Sequence, residues 1–272
     1  MKYDVAIITV STNKLDEECL SSVAKVMAAS PLKMQFVVVD NASTVFDARA
    51  RVLRHVKDAI VVLRGDNHGF GRSCNRGAQE VEADYYFFLN PDTRIDDVQA
   101  IDRLYAFMKQ HPKTGIVAPR IRYMDGRVQE TCRRFPAWHM PLMQRTRLFG
   151  QKRIEAHRKQ FLMEDFSHDR RRMVDWVQGS AFMIEAPLYN KLGGFDDRFF
   201  MYFEDIDLCR RVWKEGRPVY YLPEAELFHA YGKESAKINN VVEGFFRNHK
   251  TRVHIWSWLK YTLKWGHRSN TL

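Results

Sequence analysis

Acidic and aromatic residues are mixed in Gly193–Arg211, the stretch of this chain with the most chemical information. The segment reads GGFDDRFFMYFEDIDLCRR and sets five acids among four Phe residues, a Met and a Tyr. Carboxylates held beside aromatic side chains lose hydration, which displaces their pKa values from the ordinary range. The composition therefore predicts acids that are chemically tuned rather than merely solvated.

Within this segment, Glu204 and Asp205 directly follow the bulky run Phe199–Phe203. Apolar residues then repeat at helical spacing through Leu208 and Val212, so the acidic pair is predicted at the start of a helix. Backbone amides and the helix dipole favour negative charge there. The alternative is that these acids simply cap the N-terminus of a packed helix.

Three further polar segments could bind ligands. Leu89–Thr93 (LNPDT) follows an apolar run, and its oxygens could hold a hard divalent cation, although Asn-Pro-Asp also suits a turn. Asn67–Gly77 is rich in glycine and precedes a helix-like stretch, so it could approach an anion closely. His229 could complete a metal site or meet a phosphate, or be structural. The GxGxxG and Walker A patterns are absent, which argues against NAD-binding and P-loop enzymes.

The elements that must position these residues alternate between strand and helix in the first half of the chain. Continuous apolar strands separated by helices indicate a parallel sheet covered on both faces. Ligands bind beyond the carboxyl ends of such strands, where polar clusters occur at Thr9–Asn13, Asp40–Ser43 and Asn90–Thr93. The predicted strands are Asp4–Val10, Gln35–Val39, Ile60–Leu63 and Tyr85–Leu89, and the predicted helices are Leu15–Ala29 and Ser73–Val81.

The second half is less regular. Ile116–Ala118, Trp176–Ile184 and Val219–Leu222 are predicted strands. Phe135–Arg172 is basic and aperiodic and contains two prolines near its start, so it is predicted to be an insertion or a mobile loop. From Val241 the chain is predicted to be helical. Its apolar positions fall roughly on one side, at Val242, Phe245, Phe246, Val253, Trp256 and Leu263.

The net charge of +10 over 272 residues is unevenly distributed. Arg133–Arg172 has a net charge of +7 and Val241–Leu272 one of +5. Such patches suit an anionic membrane, a polyphosphate ligand or nucleic acid, or are solvated surface. The chain has no apolar run long enough to cross a bilayer, and its start lacks a signal-peptide cleavage site. Its four scattered cysteines are expected to be reduced thiols in a cytosolic protein.

Five segments together resemble the family 2 glycosyltransferases and occur in the order found in that family. They are VVVDNAS (Val37–Ser43), NHGFGRSCNRG (Asn67–Gly77), LNPDT (Leu89–Thr93), GGFDDRFFMYFEDIDLCRR (Gly193–Arg211) and YLPEAELFH (Tyr221–His229). The last three, with RRFP at Arg133–Pro136 and VDWVQGSAFMI at Val174–Ile184, are most similar to the bacterial rhamnosyltransferase branch.

The resemblance implies an α/β protein with the Rossmann-like GT-A fold, a mostly parallel central sheet flanked by helices and a C-terminal helical extension. Residues 1–240 would form the glycosyltransferase domain. Its nucleotide-binding half would span 1–115, and its acceptor-binding half would span 116–240 and include a basic insertion at 133–172. Residues 241–272 would form a basic amphipathic tail.

The resemblance also implies roles for individual residues at the donor. Thr9 and Asp40 would contact the base of the nucleotide sugar, with Asp40 accepting from the ring N–H. The other residues that it assigns to the nucleotide sugar are Asn41, Asn67, Gly69, Arg72, Asn90 and Asp92.

For catalysis, the resemblance assigns Asp205 as the base that activates the acceptor, with Glu204 beside it. Asp92 corresponds to the last Asp of the DxD metal motif, Asn90 stands where many members have the first Asp, and His229 would lie near the metal and pyrophosphate. A cation, Mg²⁺ or Mn²⁺, would absorb charge on the departing diphosphate, while a desolvated base takes the acceptor proton.

The sequence thus predicts a metal-dependent inverting glycosyltransferase. The expected donor is dTDP-rhamnose, or else another dTDP- or UDP-sugar, and the expected acceptor is a saccharide or lipid-linked saccharide of bacterial surface polysaccharide synthesis. We expect a cytoplasmic enzyme in peripheral contact with the anionic inner face of the plasma membrane. A sugar nucleotidyltransferase is disfavoured because Ser11–Glu18 lacks glycine and arginine. A nucleic-acid partner is not expected, since the excess of positive charge lies outside the five segments.

Overall fold

The computed structural model describes residues 2–136, 150–230 and 248–266. Its strands are β1 (Tyr3–Ser11), β2 (Met34–Asn41), β3 (Ile60–Arg64), β4 (Ala83–Leu89), β5 (Thr93–Arg94), β6 (Ile116–Arg122), β7 (Cys132–Arg133), β8 (Arg172–Val174), β9 (Trp176–Val177), β10 (Ala181–Glu185) and β11 (Val219–His229). Its helices are α1 (Glu17–Ala29), α2 (Ala48–His55), α3 (Phe70–Ala78), α4 (Ala100–Gln110), α5 (Gln151–Leu162), α6 (Ala186–Lys191), α7 (Glu204–Lys214) and α8 (His249–Trp265).

A nine-stranded mixed sheet forms the centre of the protein, in the order β3-β2-β1-β4-β10-β6-β11-β5, with β8 also paired to β11. Strands β1 to β4 pair in parallel, as do β6 and β11, whereas β10 runs antiparallel between β4 and β6. The predicted α/β class, with a mostly parallel sheet, flanking helices and a C-terminal helix, is confirmed. The carboxyl ends of β1, β2 and β4 lie at one edge of the sheet, because parallel neighbours end on the same side.

The apolar strands are buried on both faces. In β1, Ala6 and Ile8 pack into one apolar layer, and Val5 and Ile7 pack into the other. This alternation follows from the two-residue period of a strand, and it explains why the central strands are apolar throughout. The four cysteines are free and buried.

Two predicted elements differ from the structure in instructive ways. The prediction of a single strand over Trp176–Ile184 is wrong. The strand is interrupted between β9 and β10 at Gly179, whose amide donates to Asp205 at 3.0 Å. In the predicted insertion Phe135–Arg172, residues 151–162 form helix α5, and both prolines lie before that helix. Residues 137–149 of the insertion lie outside the described ranges.

Helix α8 packs against Arg198–Asp207, but not through the apolar face that the sequence predicts. Tyr261 and Trp265 are buried, whereas Trp256 is 58% and Leu263 85% exposed. The indole of Trp265 donates to Asp207 at 2.9 Å. The predicted positions 242–246 lie outside the described ranges. None of the helices in the described parts is both long and apolar enough to cross a membrane.

Two tryptophans of α8 give a matched test of this packing. We expect Trp265→Ala to lower the free energy of unfolding by about 3 kcal/mol or more, because it removes a buried indole and leaves Asp207 short of a donor. Trp256→Ala should change it by about 0.5 kcal/mol or less, since that side chain is exposed. Urea denaturation followed by circular dichroism measures both. Equal losses in the two variants would contradict the observed packing.

Candidate active site

Thr9 and Asp40, which the resemblance assigns to the nucleotide, lie near the ends of the neighbouring strands β1 and β2. Thr9 is 0% and Asp40 6% exposed, yet Oγ1 of Thr9 and Oδ1 of Asp40 have no hydrogen-bond partner within the described residues. The other oxygen of Asp40 accepts from the amide of Ser43 at 3.2 Å. A buried polar atom without a partner costs about 1–3 kcal/mol. A ligand that paired with both atoms would remove this cost.

Asn41 and Asn67 connect the end of β2 to the glycine-rich loop. Nδ2 of Asn41 donates to Oδ1 of Asn67 at 2.7 Å, and Oδ1 of Asn41 accepts from the amide of His68 at 3.0 Å. Oδ1 of Asn67 also accepts from the amide of Gly69 at 2.9 Å. Both asparagines therefore stabilise the loop through hydrogen bonds. Their predicted contacts with the nucleotide sugar stay a prediction.

Gly69 brings this loop against the acidic segment. Its φ is +84°, and a Cβ at this position would lie 1.9 Å from the carbonyl oxygen of Phe200. The next amide, that of Phe70, donates to the same oxygen at 3.0 Å and starts helix α3. Arg72 lies in the first turn of that helix, where its Nε donates to the carbonyl of Asp197 at 3.0 Å. Only glycine allows this close approach.

Asp92 and His229 form the centre of the predicted metal site. Nε2 of His229 lies 3.0 Å from Oδ1 of Asp92 and 3.4 Å from Nδ2 of Asn90. Nζ of Lys14 lies 2.7 Å from the other oxygen of Asp92. Burial alone would raise the pKa of Asp92, but the hydrogen bonds and charges of His229 and Lys14 outweigh it and hold that pKa below its ordinary value.

Asp92 and His229 fit a divalent cation that is bound partly by the protein and partly by a substrate. A carboxylate oxygen and an imidazole nitrogen face each other, and both are ligands that Mn²⁺ accepts. In the parts of the chain that the structure describes, no cluster of three or more His, Cys, Asp or Glu side chains could hold a metal ion. A cation bound by Asp92 and His229 would therefore need further oxygens, which a diphosphate and water can supply.

The two acids at the start of α7 have different surroundings. Glu204 is buried at 6% exposure, its Oε2 has no hydrogen-bond partner among the described residues, and it packs beneath Gly71. Asp205 is partly exposed, and its oxygens accept from the amides of Gly179 at 3.0 Å and Ile206 at 2.8 Å. The pair therefore divides into a buried acid and an acid within reach of solvent.

Burial raises the pKa values of both acids. The pKa of Glu204 lies well above its ordinary value because burial disfavours the charge and Asp205 adds repulsion. Burial also raises the pKa of Asp205, although the amides of Gly179 and Ile206 and the charge of Arg133 oppose it. Both acids thus have the displaced pKa values that their position in the aromatic segment predicts, and the direction is upward for both.

Sequence reasoning missed several residues of this region. Lys14 reaches Asp92, Arg133 acts electrostatically on Asp205, and Gly179 donates to Asp205. Gln129 contacts His229. Arg133 and Gly179 lie in segments already noted for their resemblance, but neither segment indicated which residue would reach the acids. Lys14 and Gln129 carried no local signal.

The raised pKa of Glu204 predicts a pH-dependent stability. Between the ordinary Glu value of 4.5 and the raised value, the folded protein binds more protons than the unfolded chain, so stability falls as pH rises. Glu204→Gln should gain free energy of unfolding relative to wild type as pH goes from about 5 to about 8. Urea denaturation at several pH values measures this. Glu215→Gln, at the exposed other end of α7, is the matched control, and a pH-independent difference for Glu204→Gln would contradict the assignment.

Two relatives of known activity are similar in sequence to this chain. It is 28% identical over 249 residues to N-acetylglucosaminyl-diphospho-decaprenol L-rhamnosyltransferase of Mycobacterium tuberculosis, covering 83% of this chain and 75% of that protein. It is 24% identical over 178 residues to rhamnosyltransferase WbbL of Escherichia coli K12, covering 61% and 62%.

Among solved structures, GalNAc-T7 with UDP, GalNAc and Mn²⁺ superposes with a TM-score of 0.65 at 16% identity, covering 85% of this chain and 44% of that one. This likeness shows the fold alone, and that fold is GT-A. The family model described as "Glycosyl transferase family 2" matches residues 5–174, more than half of the chain. The chain therefore belongs to glycosyl transferase family 2.

Proposed function

We propose that this glycosyltransferase transfers rhamnose from dTDP-rhamnose, with inversion, to a saccharide or lipid-linked saccharide acceptor. The observation that carries the transfer chemistry is the partly exposed, hydrogen-bonded Asp205 at the end of the site where Gly69 meets the acidic segment. The choice of rhamnose rests on the two relatives, whose names state rhamnosyl transfer.

Asp205 is the base in this proposal. Its carboxylate takes the proton of the acceptor hydroxyl as that oxygen forms a bond to the anomeric carbon and the bond to the diphosphate breaks. The amides of Gly179 and Ile206 hold the carboxylate in one orientation, and its raised pKa makes it a better proton acceptor. Glu204 is less suited to this role because it is buried beneath Gly71.

The donor binds at the strand ends and at the Asp92–His229 pair. Oγ1 of Thr9 and Oδ1 of Asp40, which lack a partner among the described residues, would contact the nucleobase, and Asp40 would accept its ring N–H. Asp92 and His229 would hold a divalent cation, which supplies charge neutralisation for the departing diphosphate when bound. Lys14, beside Asp92, adds positive charge at the same place.

An apolar subsite for the C6 methyl of rhamnose fits the segment before Asp205. Phe199 and Phe203 are buried, whereas Phe200, Met201 and Tyr202 keep part of their surface exposed. The exposed residues are the ones that could contact a sugar. A pocket of this kind rejects a hydroxylated analogue only modestly, by about 10²-fold.

A donor panel tests the proposal as a whole. Purified enzyme is incubated with dTDP-rhamnose, dTDP-glucose, UDP-glucose or UDP-N-acetylglucosamine and a polyprenyl-linked saccharide acceptor, and release of nucleoside diphosphate is measured. We expect the highest turnover with dTDP-rhamnose, loss of turnover in EDTA and recovery with Mn²⁺ or Mg²⁺. Turnover of a UDP-sugar but not of dTDP-rhamnose would overturn the donor, and full activity in EDTA would overturn the metal.

The base assignment has its own test. Asp205→Asn should lower kcat by about 10²–10⁴-fold, because the amide cannot take the proton, while donor affinity measured by calorimetry stays close to wild type. Glu215→Gln, on the far end of the same helix, is the control and should keep wild-type turnover. Activity of Asp205→Asn above about a tenth of wild type would remove Asp205 from this role and make Glu204 the candidate.

Peripheral contact with an anionic membrane on the cytoplasmic side is part of the proposal. Trp256 and Leu263 are exposed on α8, and basic residues share that helix. Exposed Trp and Lys or Arg favour the headgroup zone of an anionic leaflet. The same Trp256→Ala protein should therefore lose part of the cosedimentation with anionic liposomes at low salt. Failure of wild-type protein to sediment would remove the membrane from the proposal.

A further inference from the structure

We propose that Gln129 is a positioning residue that fixes the tautomer and orientation of His229 for binding of a divalent cation. Gln129 lies between β6 and β7, outside the five segments of the family resemblance, and is 3% exposed. This inference rests on the proposed cation-dependent function, and it extends that function to a residue that does not contact the substrate.

Hydrogen bonds to carbonyl groups fix the orientation of the Gln129 amide. Its Nε2 donates to the backbone oxygen of His229 at 2.8 Å and lies 3.4 Å from that of Arg122. Carbonyl oxygens only accept, so the amide nitrogen must face them and the amide oxygen must face the other way. The backbone of Gln129 is also held, because its amide donates to the carbonyl of Ile121 at 2.8 Å.

The amide oxygen in turn fixes the imidazole. Oε1 of Gln129 lies 3.2 Å from Nδ1 of His229, and an amide oxygen cannot donate, so Nδ1 carries the hydrogen. Nε2 faces Asp92 and forms a hydrogen bond with its Oδ1 at 3.0 Å, and a cation bound by both residues would replace that hydrogen bond. His229 is 2% exposed, which leaves the ring little room to turn.

This polarity suits a cation held between His229 and Asp92. A histidine that binds a metal through one nitrogen commonly donates its other N–H to a carbonyl or carboxylate oxygen, and loss of that acceptor lowers metal affinity by about 10–100-fold. Gln129 supplies such an acceptor and anchors it to the backbone of the same histidine. The single side chain thus contacts both the ring and the main chain of His229.

Three variants separate the acceptor role from a structural one. Gln129→Leu removes both the acceptor and the donor, whereas Gln129→Glu keeps an acceptor for Nδ1. Thr131→Val is the matched control, since Thr131 is buried on the same segment and its hydroxyl has no hydrogen-bond partner among the described residues. Affinity for Mn²⁺ is measured by calorimetry with dTDP present, and thermal unfolding is followed for each protein.

We expect Gln129→Leu to weaken Mn²⁺ binding by about 10–100-fold, Gln129→Glu to keep more of the affinity than Gln129→Leu because it retains the acceptor for Nδ1, and Thr131→Val to stay close to wild type. Gln129→Leu affinity equal to wild type would overturn the proposal. So would equal losses of affinity in the Leu and Glu variants together with equal losses of thermal stability, because the amide donor would then be what matters.

A second measurement does not need the metal. In protein labelled with ¹⁵N-histidine, the His229 signals identified with His229→Gln should show a hydrogen on Nδ1. Gln129→Leu should weaken or remove the signature of that hydrogen, and Gln129→Glu should not. An Nδ1 without a hydrogen in wild type would overturn the proposal. If wild-type protein bound no Mn²⁺ while Nδ1 kept its hydrogen, the proposed metal dependence would fail and the positioning of His229 by Gln129 would stand.

Discussion

A close backbone contact joins the glycine-rich loop to the acidic segment. The amide of Phe70 donates to the carbonyl of Phe200, and Gly69 lies so close to that carbonyl that a Cβ would collide with it. Phe70 begins the helix that follows the glycine-rich loop, and Phe200 belongs to the segment that leads into the acidic helix α7. This approach, which glycine makes sterically possible, and the bond from Arg72 to the carbonyl of Asp197 together hold the glycine-rich loop against the segment that leads to Asp205.

Helix α8 supports the same segment from the opposite side. Ser257 donates to the carbonyl of Met201 at 2.8 Å, and the rings of Phe203 and Tyr261 lie 5.3 Å apart. Asp207 is 0% exposed, forms an ion pair with Lys264 and accepts a hydrogen bond from the indole of Trp265. A buried carboxylate needs such partners, because an unpaired charge is strongly disfavoured away from water. The aromatic segment before Asp205 is thus held between the glycine-rich loop and the C-terminal helix.

The placement of charge separates two kinds of carboxylate in this site. Asp92, beside Lys14 and His229, has a lowered pKa and stays ionised, which suits a residue that attracts a cation. Asp205 and Glu204 have raised pKa values because burial outweighs the hydrogen bonds that they receive. In the proposed function, Asp92 would attract the cation that binds the diphosphate, and Asp205 would accept the proton of the acceptor hydroxyl.

Local patterns in the sequence were enough to predict most of the central strands and the polar residues at their ends. Apolar runs bounded by polar clusters identified β1, β2 and β4, and helical spacing placed Glu204 at the start of α7, because these signals depend on neighbours a few residues apart. Other features follow only from contacts in the tertiary structure. Which acid is buried, which face of α8 packs, and why the chain breaks at Gly179 all depend on contacts between distant segments. Gln129 and His229 are 100 residues apart, and no local pattern records their contact, since only the pairing of β6 with β11 brings them together.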